Sequence, residues 1–215
     1  MIEFFKNSSL FAGIDENEIK KILNCIEYRI FTFDKNIYLY DLSQGFKALL
    51  LKDGVVDIIS LEKREIIDDR LMAGDSLVYD FGKSDKRFLR TKRKSTLISM
   101  DIGTIFDENK RNCQHKTIFM QNIIKDLNKF MSHLSFKLNI YSKTHLRERI
   151  LLFLNSEREK TGLNLIRPIF NQEDLAKYLS CNRSALSREF YLMEKEGIIK
   201  IKNREIWLLF HLNFY

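Results

Sequence analysis

Residues 170–200, FNQEDLAKYLSCNRSALSREFYLMEKEGIIK, constrain the fold of this chain more than any other stretch. Asn171 is a good N-cap for a first helix over residues 172–179, because its side chain can accept a hydrogen bond from a backbone amide of the first turn. Residues 180–182 form a short polar break, and a second helix is predicted over residues 183–195. Two short helices joined by such a tight break predict a helix-turn-helix.

The second helix is predicted to bury one face and to expose the other. Leu186, Phe190 and Met193 fall at i, i+4 and i+7, which places them on one apolar stripe. The opposite face carries basic, hydroxyl and aromatic side chains, namely Arg183, Ser184, Ser187, Arg188 and Tyr191. Such a face can enter a DNA major groove, where arginine binds guanine and serine binds bases or phosphates. On spacing alone, a solvated amphipathic helix is the alternative.

The residues after the second helix predict a two-stranded wing. Gly197 can end the helix, and isoleucines alternate with lysines over residues 198–201. Residues 202–205 form a turn before the apolar run 206–209.

The pattern EDLAxxLxxNRSxLSRxxxxMExxGIIxI over residues 173–201 resembles the winged helix of bacterial CRP/FNR-type transcription regulators. The resemblance implies a set of DNA readers on the second helix: Asn182, Arg183, Ser184, Ser187 and Arg188. Asn171 and Gln172, at the start of the first helix, and Lys202 on the wing complete the predicted DNA-binding residues. Many members have glycine in the turn, where this chain has Ser180.

Residues 28–100 predict an antiparallel β domain, because short apolar runs alternate with turn residues. The predicted breaks lie at residues 34–36, 43–45, 53–54, 62–64 and 73–75. Asp53-Gly54 gives the strongest hairpin signal. A short helical entry over residues 1–25, with Asp15 as a cap, precedes the strands.

Phe11-Ala12-Gly13-Ile14 resembles the opening of CRP/FNR effector domains, and the β domain resembles the double-stranded jelly roll of cyclic-nucleotide-binding domains. In nucleotide-binding members a Gly-Glu pair and a later Arg-Ser/Thr-Ala run hold the ribose and the phosphate. This chain has Val78-Tyr79 where the Gly-Glu pair is expected, and no Arg-Ser/Thr-Ala run follows. The resemblance therefore implies that neither cyclic AMP nor cyclic GMP binds in the usual way, and the cofactor stays unknown.

Residues 116–142 predict one long helix with an apolar seam whose steps alternate between four and three. The seam residues are Met120, Ile124, Leu127, Met131, Leu134, Leu138 and Tyr141. They predict a parallel two-helix dimer axis, with a single helix laid on its own domain as the alternative. Ile123, Phe130 and Ile140 lie off the seam and could pack on the β domain.

The chain is thus predicted to be an α+β protein with an N-terminal jelly roll, a long dimerisation helix and a C-terminal winged helix-turn-helix. The predicted domains are residues 1–115, 116–142 and 143–215, with Thr144 capping the first helix of the last domain. The formal charge is +7, from 36 Lys and Arg against 29 Asp and Glu, and residues 143–215 contribute +4, from 13 against 9. This balance favours an anionic partner such as double-stranded DNA.

The resulting hypothesis is a homodimer that presents two recognition helices to a palindromic operator and changes transcription through RNA polymerase. No run of about 18 apolar residues predicts a membrane span, so a cytoplasmic protein without a membrane partner is expected. No nucleophile elbow, phosphate loop or HExxH motif is present, so the chain is predicted not to be an enzyme.

Two sensing chemistries on the same fold stay open. Cys113, His115, His133 and His145 are the only candidates for a haem or metal site, and no metal-ligand set is predicted from their spacing. Cys25 or Cys113 could act as a thiol switch, although cysteines are more often small buried residues.

One further run of charge stands out. Residues 83–94 carry seven Lys and Arg against one Asp, which predicts a solvated loop and strand edge.

Overall fold

The computed structural model describes residues 2–39, 46–61, 65–80, 87–103 and 116–209. The chain divides into two compact units, Met1–Leu134 and Ser135–Tyr215. The turns predicted at residues 43–45 and 62–64 lie outside the described residues. No helix in the described part of the chain is long and apolar enough to cross a bilayer.

In its described residues, the first unit contains short N-terminal helices, seven strands and most of a long helix. Helices α1 (Ile2–Lys6) and α2 (Glu16–Cys25) flank a 3₁₀ turn (Ser9–Phe11). The strands are β1 (Tyr28–Phe33), β2 (Phe46–Asp53), β3 (Val55–Leu61), β4 (Glu65–Met72), β5 (Ser76–Asp80), β6 (Arg87–Thr91) and β7 (Ser95–Asp101). Asp15 caps α2 as predicted, since its Oδ1 accepts hydrogen bonds from the amides of Asn17 at 2.9 Å and Glu18 at 3.0 Å.

The seven strands form two antiparallel sheets, with the order β1-β7-β2-β5 in one and β4-β3-β6 in the other. One apolar core joins the two sheets and includes Leu49, Leu97 and Ile58. A second core packs the other face of the first sheet against the helices and includes Phe11 and Phe119. Alternation of side chains along β2, β5 and β7 of the first sheet supplies both cores. The predicted α+β fold class is confirmed.

Gly54 lies at a corner between the two sheets. Strand β2 pairs with β5 and β7, whereas β3 pairs with β4 and β6, so β2 and β3 are not partners. The φ angle of Gly54 is +106°, and a Cβ atom there would lie 2.1 Å from Ser95 Oγ. Glycine at this position permits the positive φ angle with which the chain passes from one sheet to the other. The predicted hairpin is therefore wrong, although the predicted break is right.

Lys83 and Lys86 of the basic run over residues 83–94 lie outside the described residues. The rest of the run is only in part the solvated edge that its composition predicts. Arg93 is exposed, but only 8% of the Arg90 side chain is exposed. Arg90 Nη1 donates to Glu65 Oε1 at 2.6 Å, and its Nη2 donates to Asp57 Oδ2 at 3.2 Å. A buried charge requires such partners, so Arg90 belongs to the folded sheet and not to a solvated edge.

Helix α3 (Lys116–Ser142) has the predicted bounds, and its C-terminal end lies in the second unit. Ile123 is buried in the core between the first sheet and the helices, and Phe130 packs against the core that joins the two sheets. Their positions off the seam predict this packing.

The second unit continues with α4 (Leu146–Thr161), β8 (Leu165–Ile166), α5 (Gln172–Tyr178), α6 (Arg183–Lys195), β9 (Ile199–Lys202) and β10 (Glu205–Leu208). Its strands form one antiparallel sheet in the order β8-β10-β9. Both helices of the helix-turn-helix and both wing strands lie within one residue of their predicted positions. The predicted turn over residues 202–205 is too long, because Lys202 and Glu205 pair as strand residues. The N-cap of α4 is His145, one residue after the predicted Thr144.

Candidate nucleic-acid interface

A side-chain cap fixes the start of α5, and the turn between α5 and α6 contains one strained residue. Asn171 Oδ1 accepts a hydrogen bond from the Asp174 amide at 2.8 Å, which fixes the start of α5. Ser180 has a φ angle of +54°, the left-handed conformation that glycine adopts most readily. Asn182 is the N-cap residue of α6, but its side chain makes no capping hydrogen bond and is exposed.

Ser180→Gly is expected to stabilise the protein by about 1 kcal/mol, because a side chain with a Cβ is strained in the left-handed region. The measurement is the thermal midpoint, which should rise by about 2–4 °C. Ser187→Gly is the matched control: it makes the same chemical change inside α6, where glycine should lower stability by about 0.5 kcal/mol. A lower midpoint for Ser180→Gly would contradict the strain at this turn.

Helix α6 has the two faces that the sequence predicts. Leu186, Phe190 and Met193 are buried. The other face is exposed and carries Arg183, Ser184, Ser187, Arg188 and Tyr191. Within the described part of the chain, these five side chains make no hydrogen bond or ion pair with the protein. Two guanidinium groups and three hydroxyls are therefore available to a ligand along one side of the helix.

Hydrogen bonds from Arg147 of α4 fix the C-terminal half of α6. Its Nε donates to Glu189 Oε1 at 2.6 Å, and its Nη1 donates to Glu196 Oε2 at 2.6 Å. These hydrogen bonds, with Glu196 the larger contributor, raise the pKa of Arg147 above its ordinary value. The hydrogen bond from Arg147 also lowers the pKa of Glu196. The Glu196 contribution to stability is therefore complete above its unfolded pKa and is lost as pH falls through the lowered value.

The C-terminal end of α5 is held by a buried lysine. Lys137 of α3 is only 2% exposed, and its Nζ donates to the Tyr178 carbonyl at 2.5 Å. The same Nζ lies 3.5 Å from the centroid of the Tyr178 ring, within the range of a cation–π contact. On the other side, Arg149 Nη1 donates to the Ser180 carbonyl at 3.3 Å. These contacts fix the end of α5 and the turn that follows it. The exposed face of α6 stays available to a ligand.

The wing is a two-residue hairpin between β9 and β10. Lys202 pairs with Glu205, and the two residues between them, Asn203 and Arg204, have φ angles of +51° and +68°. Positive φ at both central residues is typical of a type I′ turn, which favours Asn-Gly. Here arginine occupies the position that glycine usually takes. The turn carries Arg204 at its tip, exposed to solvent.

A groove of about 460 Å³ opens between α5, the start of α6 and the wing. Its residues come from the β8–α5 connection, both helices and both wing strands: Pro168, Phe170, Asn171, Gln172, Glu173, Leu175, Arg183, Phe190, Ile201, Arg204 and Ile206. Most of the apolar members are buried, so they form a floor beneath a polar rim.

Three of the predicted DNA-binding residues, Asn171, Gln172 and Arg183, line this groove. Four others are exposed along α6 outside it: Asn182, Ser184, Ser187 and Arg188. Lys202 is exposed at the end of β9 and does not line the groove. Arg204 also lines the groove but is not among the predicted DNA-binding residues. The sequence signal for it is a two-residue hairpin loop with arginine in place of glycine.

The apolar seam of α3 is packed against the protein in part and exposed to solvent in part. Met120 and Leu127 pack against the core of their own unit. Ile124, Met131 and Leu138 are 54%, 66% and 68% exposed. Because these three residues recur every seven positions, they form one continuous apolar stripe, which we call the heptad stripe.

Val78 and Tyr79, which stand where a Gly-Glu pair is expected, are both buried. Val78 is fully buried against the helices, and Tyr79 is 2% exposed within the core that joins the sheets. Burial raises the pKa of the Tyr79 hydroxyl above its ordinary value. Both residues stand where the Gly-Glu pair is expected.

Only some of the candidates for metal and thiol chemistry lie in the described part of the chain. Cys113 and His115 lie outside the described residues. His133 Nε2 lies 2.9 Å from the Asp68 carbonyl oxygen, and the described residues contain no group of three or more potential metal ligands. Cys25 is exposed, so the expectation of a buried residue is wrong for it, and Cys181 is half-buried.

Residues 148–210 match the family model of the Crp-like helix-turn-helix domain. No curated protein matches the sequence. The match covers α4, the helix-turn-helix and the wing, which are the elements that build the groove and the exposed face of α6.

Three solved structures share the fold over most of the chain. A variant of CooA from Carboxydothermus hydrogenoformans is 21% identical with a TM-score of 0.70, over 88% of this chain and 86% of that one. CLP from Xanthomonas campestris, a c-di-GMP-responsive regulator, is 16% identical with a TM-score of 0.66, over 92% and 100%. FixK2 from Bradyrhizobium japonicum is 15% identical with a TM-score of 0.62, over 85% and 92%.

Proposed function

Because the chain has the fold of CRP/FNR-type regulators and carries a Crp-like helix-turn-helix domain, we propose that it is a homodimeric transcription regulator that reads a two-fold symmetric operator. The observation that carries this proposal is the exposed face of α6, where Arg183, Ser184, Ser187 and Arg188 have no partner among the described residues. Arginine and serine at these positions can bind base edges and phosphates when α6 enters a major groove.

The heptad stripe supports the dimer. An exposed apolar stripe along a long helix is the surface that two parallel helices bury in a coiled coil. Two copies of α6 related by this axis would meet successive major grooves about 34 Å apart, so the operator would be an imperfect palindrome. The predicted division into residues 1–115, 116–142 and 143–215 remains part of this proposal.

The effector domain would have the fold of a cyclic-nucleotide-binding domain without its usual ligand. Val78 and Tyr79 supply apolar bulk where a nucleotide-binding member places glycine and glutamate. A different effector, or none, would then set the orientation of the recognition helices.

The regulator would act by recruiting or blocking RNA polymerase, without enzymatic activity of its own. Its place of action would be the cytoplasm, where bacterial DNA lies. A net charge of +4 over residues 143–215, from 13 Lys and Arg against 9 Asp and Glu, favours salt-dependent attraction to phosphates.

Selection of binding sites from random double-stranded DNA, with purified protein at near-physiological salt, tests this proposal. A two-fold symmetric motif is the expected result. If no motif is enriched, the selection is repeated with cell extract to supply an effector. Failure in both selections would overturn the proposal.

Arg188→Ala is expected to weaken binding to the selected operator by about 1–3 kcal/mol and to relax one base position in each half-site. Lys202→Ala should weaken binding to all sequences alike and lower the salt slope by about one per half-site, because a phosphate contact carries no sequence information. Binding isotherms on operator and random DNA over a salt series distinguish the two results. Identical behaviour of the two variants would contradict the assignment of Arg188 as a base reader.

A further inference from the structure

We propose that Lys137 is a positioning residue that joins the last two turns of α3 to the helix-turn-helix, so that residues 137–195 turn as one body and α6 keeps a fixed angle to the end of α3. This inference rests on the proposed function, because it concerns how the DNA-binding residues are positioned. It moves the start of the DNA-binding unit from residue 143 into α3.

The end of α3 has a buried face in the second unit. That unit begins at Ser135, inside α3 and not after it. Lys137 is 2% exposed and Ile140 is fully buried, whereas Leu138 and Asn139 between them are exposed. Lys137 and Ile140 are three positions apart, so they lie on one face of the helix. The last two turns of α3 therefore belong to the unit that contains the helix-turn-helix.

Lys137 lies at the C-terminal end of α5. Its Nζ donates to the carbonyl of Tyr178, the last residue of α5, at 2.5 Å. The same Nζ lies 3.5 Å from the centroid of the Tyr178 ring and 4.7 Å from that of the Tyr141 ring. Cations favour both the carbonyl end of a helix and the faces of aromatic rings. Because a buried ammonium group is costly without such partners, these contacts fix Lys137 and α5 relative to each other.

Tyr178 is itself held in the apolar core of the second unit. Its ring centroid lies 4.8 Å from that of Phe170 and 5.5 Å from that of Phe153 in α4. Phe170 is buried and directly precedes Asn171, the N-cap of α5. The residue that Lys137 contacts is therefore packed against α4 and against the segment that starts α5.

The linker between α3 and α4 is three residues long and is fixed by hydrogen bonds. The Lys143 amide donates to the Ile140 carbonyl at 3.2 Å, and the Lys143 carbonyl accepts a hydrogen bond from Arg149 Nε at 2.9 Å. Arg149 Nη1 also donates to the carbonyls of Leu179 and Ser180, at 3.4 and 3.3 Å. The linker is thus joined to the turn that follows α5 and does not act as a free pivot.

Leu138 gives this arrangement a consequence for DNA binding. It belongs to the heptad stripe, is 68% exposed and directly follows Lys137. In the proposed dimer, burial of Leu138 would hold the ends of the two α3 helices together. Through Lys137, the same contact would then fix the spacing of the two copies of α6. A change of that spacing would require α3 to bend before Lys137.

Amide hydrogen exchange in the full-length protein without DNA tests the attachment. Lys137→Met keeps an unbranched side chain of similar length and removes the ammonium group. Exchange at the amides of Leu179, Ser180 and Cys181, which are bonded to α5, should become roughly tenfold faster, because a charged donor at the end of α5 is lost. Lys129→Met removes an exposed lysine of the same helix and should leave these amides unchanged. Equal exchange in the two variants would overturn the inference.

Two serine-to-glycine substitutions test whether the end of α3 turns with the helix-turn-helix. Ser135 precedes Lys137 and Ser142 follows it, and both serines are exposed. Glycine loosens a helix. Ser135→Gly should weaken operator binding by about three- to tenfold, through loss of preorganisation, and leave binding to random DNA unchanged. Ser142→Gly should leave both affinities unchanged, because the contacts of Lys137 and Arg149 still hold that part of the unit.

Lys137→Met should likewise weaken operator binding and leave binding to random DNA unchanged. A loss of folded protein alone would lower both affinities by the same factor, so the ratio of the two separates positioning from stability. Thermal midpoints, measured for every variant, show that binding is compared between folded proteins.

Several binding results would contradict the inference. An equal or larger loss of operator affinity for Ser142→Gly than for Ser135→Gly would place the pivot in the linker and overturn it. Unchanged operator affinity in all these variants would also overturn it, and the proposed function would stand. Absence of any selected motif for the unaltered protein, with and without cell extract, would overturn the proposed function. The hydrogen-exchange comparison would then still decide whether Lys137 holds the end of α3 to α5.

Discussion

Met131→Glu is expected to convert the proposed dimer of about 51 kDa into a 25.7 kDa monomer. Met131 is 66% exposed within one chain, so a carboxylate there costs the isolated monomer little. In a parallel dimer the two carboxylates would be buried beside each other on the heptad stripe. Burial of an unpaired charge at such a seam costs about 3 kcal/mol or more, which weakens the dimer at least about 100-fold.

Sedimentation equilibrium over a range of protein concentrations measures this effect. The control is Ser132→Glu, which adds the same charge one residue along α3 at an exposed position off the stripe. This control should remain a dimer. DNA binding should follow the oligomeric state, because a monomer contacts only one half-site and loses most of the affinity for the palindrome. A Met131→Glu protein that stays dimeric would place the dimer contact elsewhere.

Gly54→Ala is expected to destabilise the first unit by about 2–5 kcal/mol, from backbone strain and overpacking together. The φ angle of +106° is strained for alanine. The added Cβ would also lie 2.1 Å from Ser95 Oγ and 2.5 Å from Ser95 Cα, so a rotation of the serine side chain cannot relieve the overlap. Strand β7 would have to move away from the corner between β2 and β3.

Thermal and denaturant unfolding measure the loss for Gly54→Ala. Gly74→Ala is the matched control, because Gly74 has a φ angle of +96° and no atom within 4 Å of an added Cβ. That variant should show the backbone strain alone, about 1–2 kcal/mol. An equal loss of stability in the two variants would contradict the role of the Ser95 contact.

The elements that the sequence predicts correctly are those whose signals are local. Asn171 caps α5, Gly197 follows α6, and the apolar spacing of α6 places Leu186 in the core. Each of these features depends on residues within a few positions of each other, so short-range rules of capping and periodicity apply. For the same reason the bounds of α3 are predicted correctly, and those of the wing strands to within one residue.

The features that the sequence does not predict depend on residues far apart in the chain. Asp53-Gly54 marks a turn, but only the pairing of β2 with β7 and of β3 with β6 shows that it is a corner. The basic neighbours of Arg90 in the sequence predict a surface residue. Only the fold brings Asp57 and Glu65 next to it across the sheet.

The candidate site shows the same division between local and distant signals. The polar face of α6 is visible in the spacing of Arg183, Ser187 and Arg188. The groove is not, because it needs α5, α6 and the wing in place together. Arg204 therefore enters the site only through the structure.

The way in which α6 is held bears on how proteins of this type diverge. Buried Leu186, Phe190 and Met193, together with the hydrogen bonds from Arg147, fix the helix from one side. The exposed side chains of Arg183, Ser184, Ser187 and Arg188 make no polar contacts with the described part of the protein. After a gene duplication, substitutions on that face could redirect one copy to a new set of promoters while both copies kept their stability. A change of the promoters that are bound would then require few substitutions.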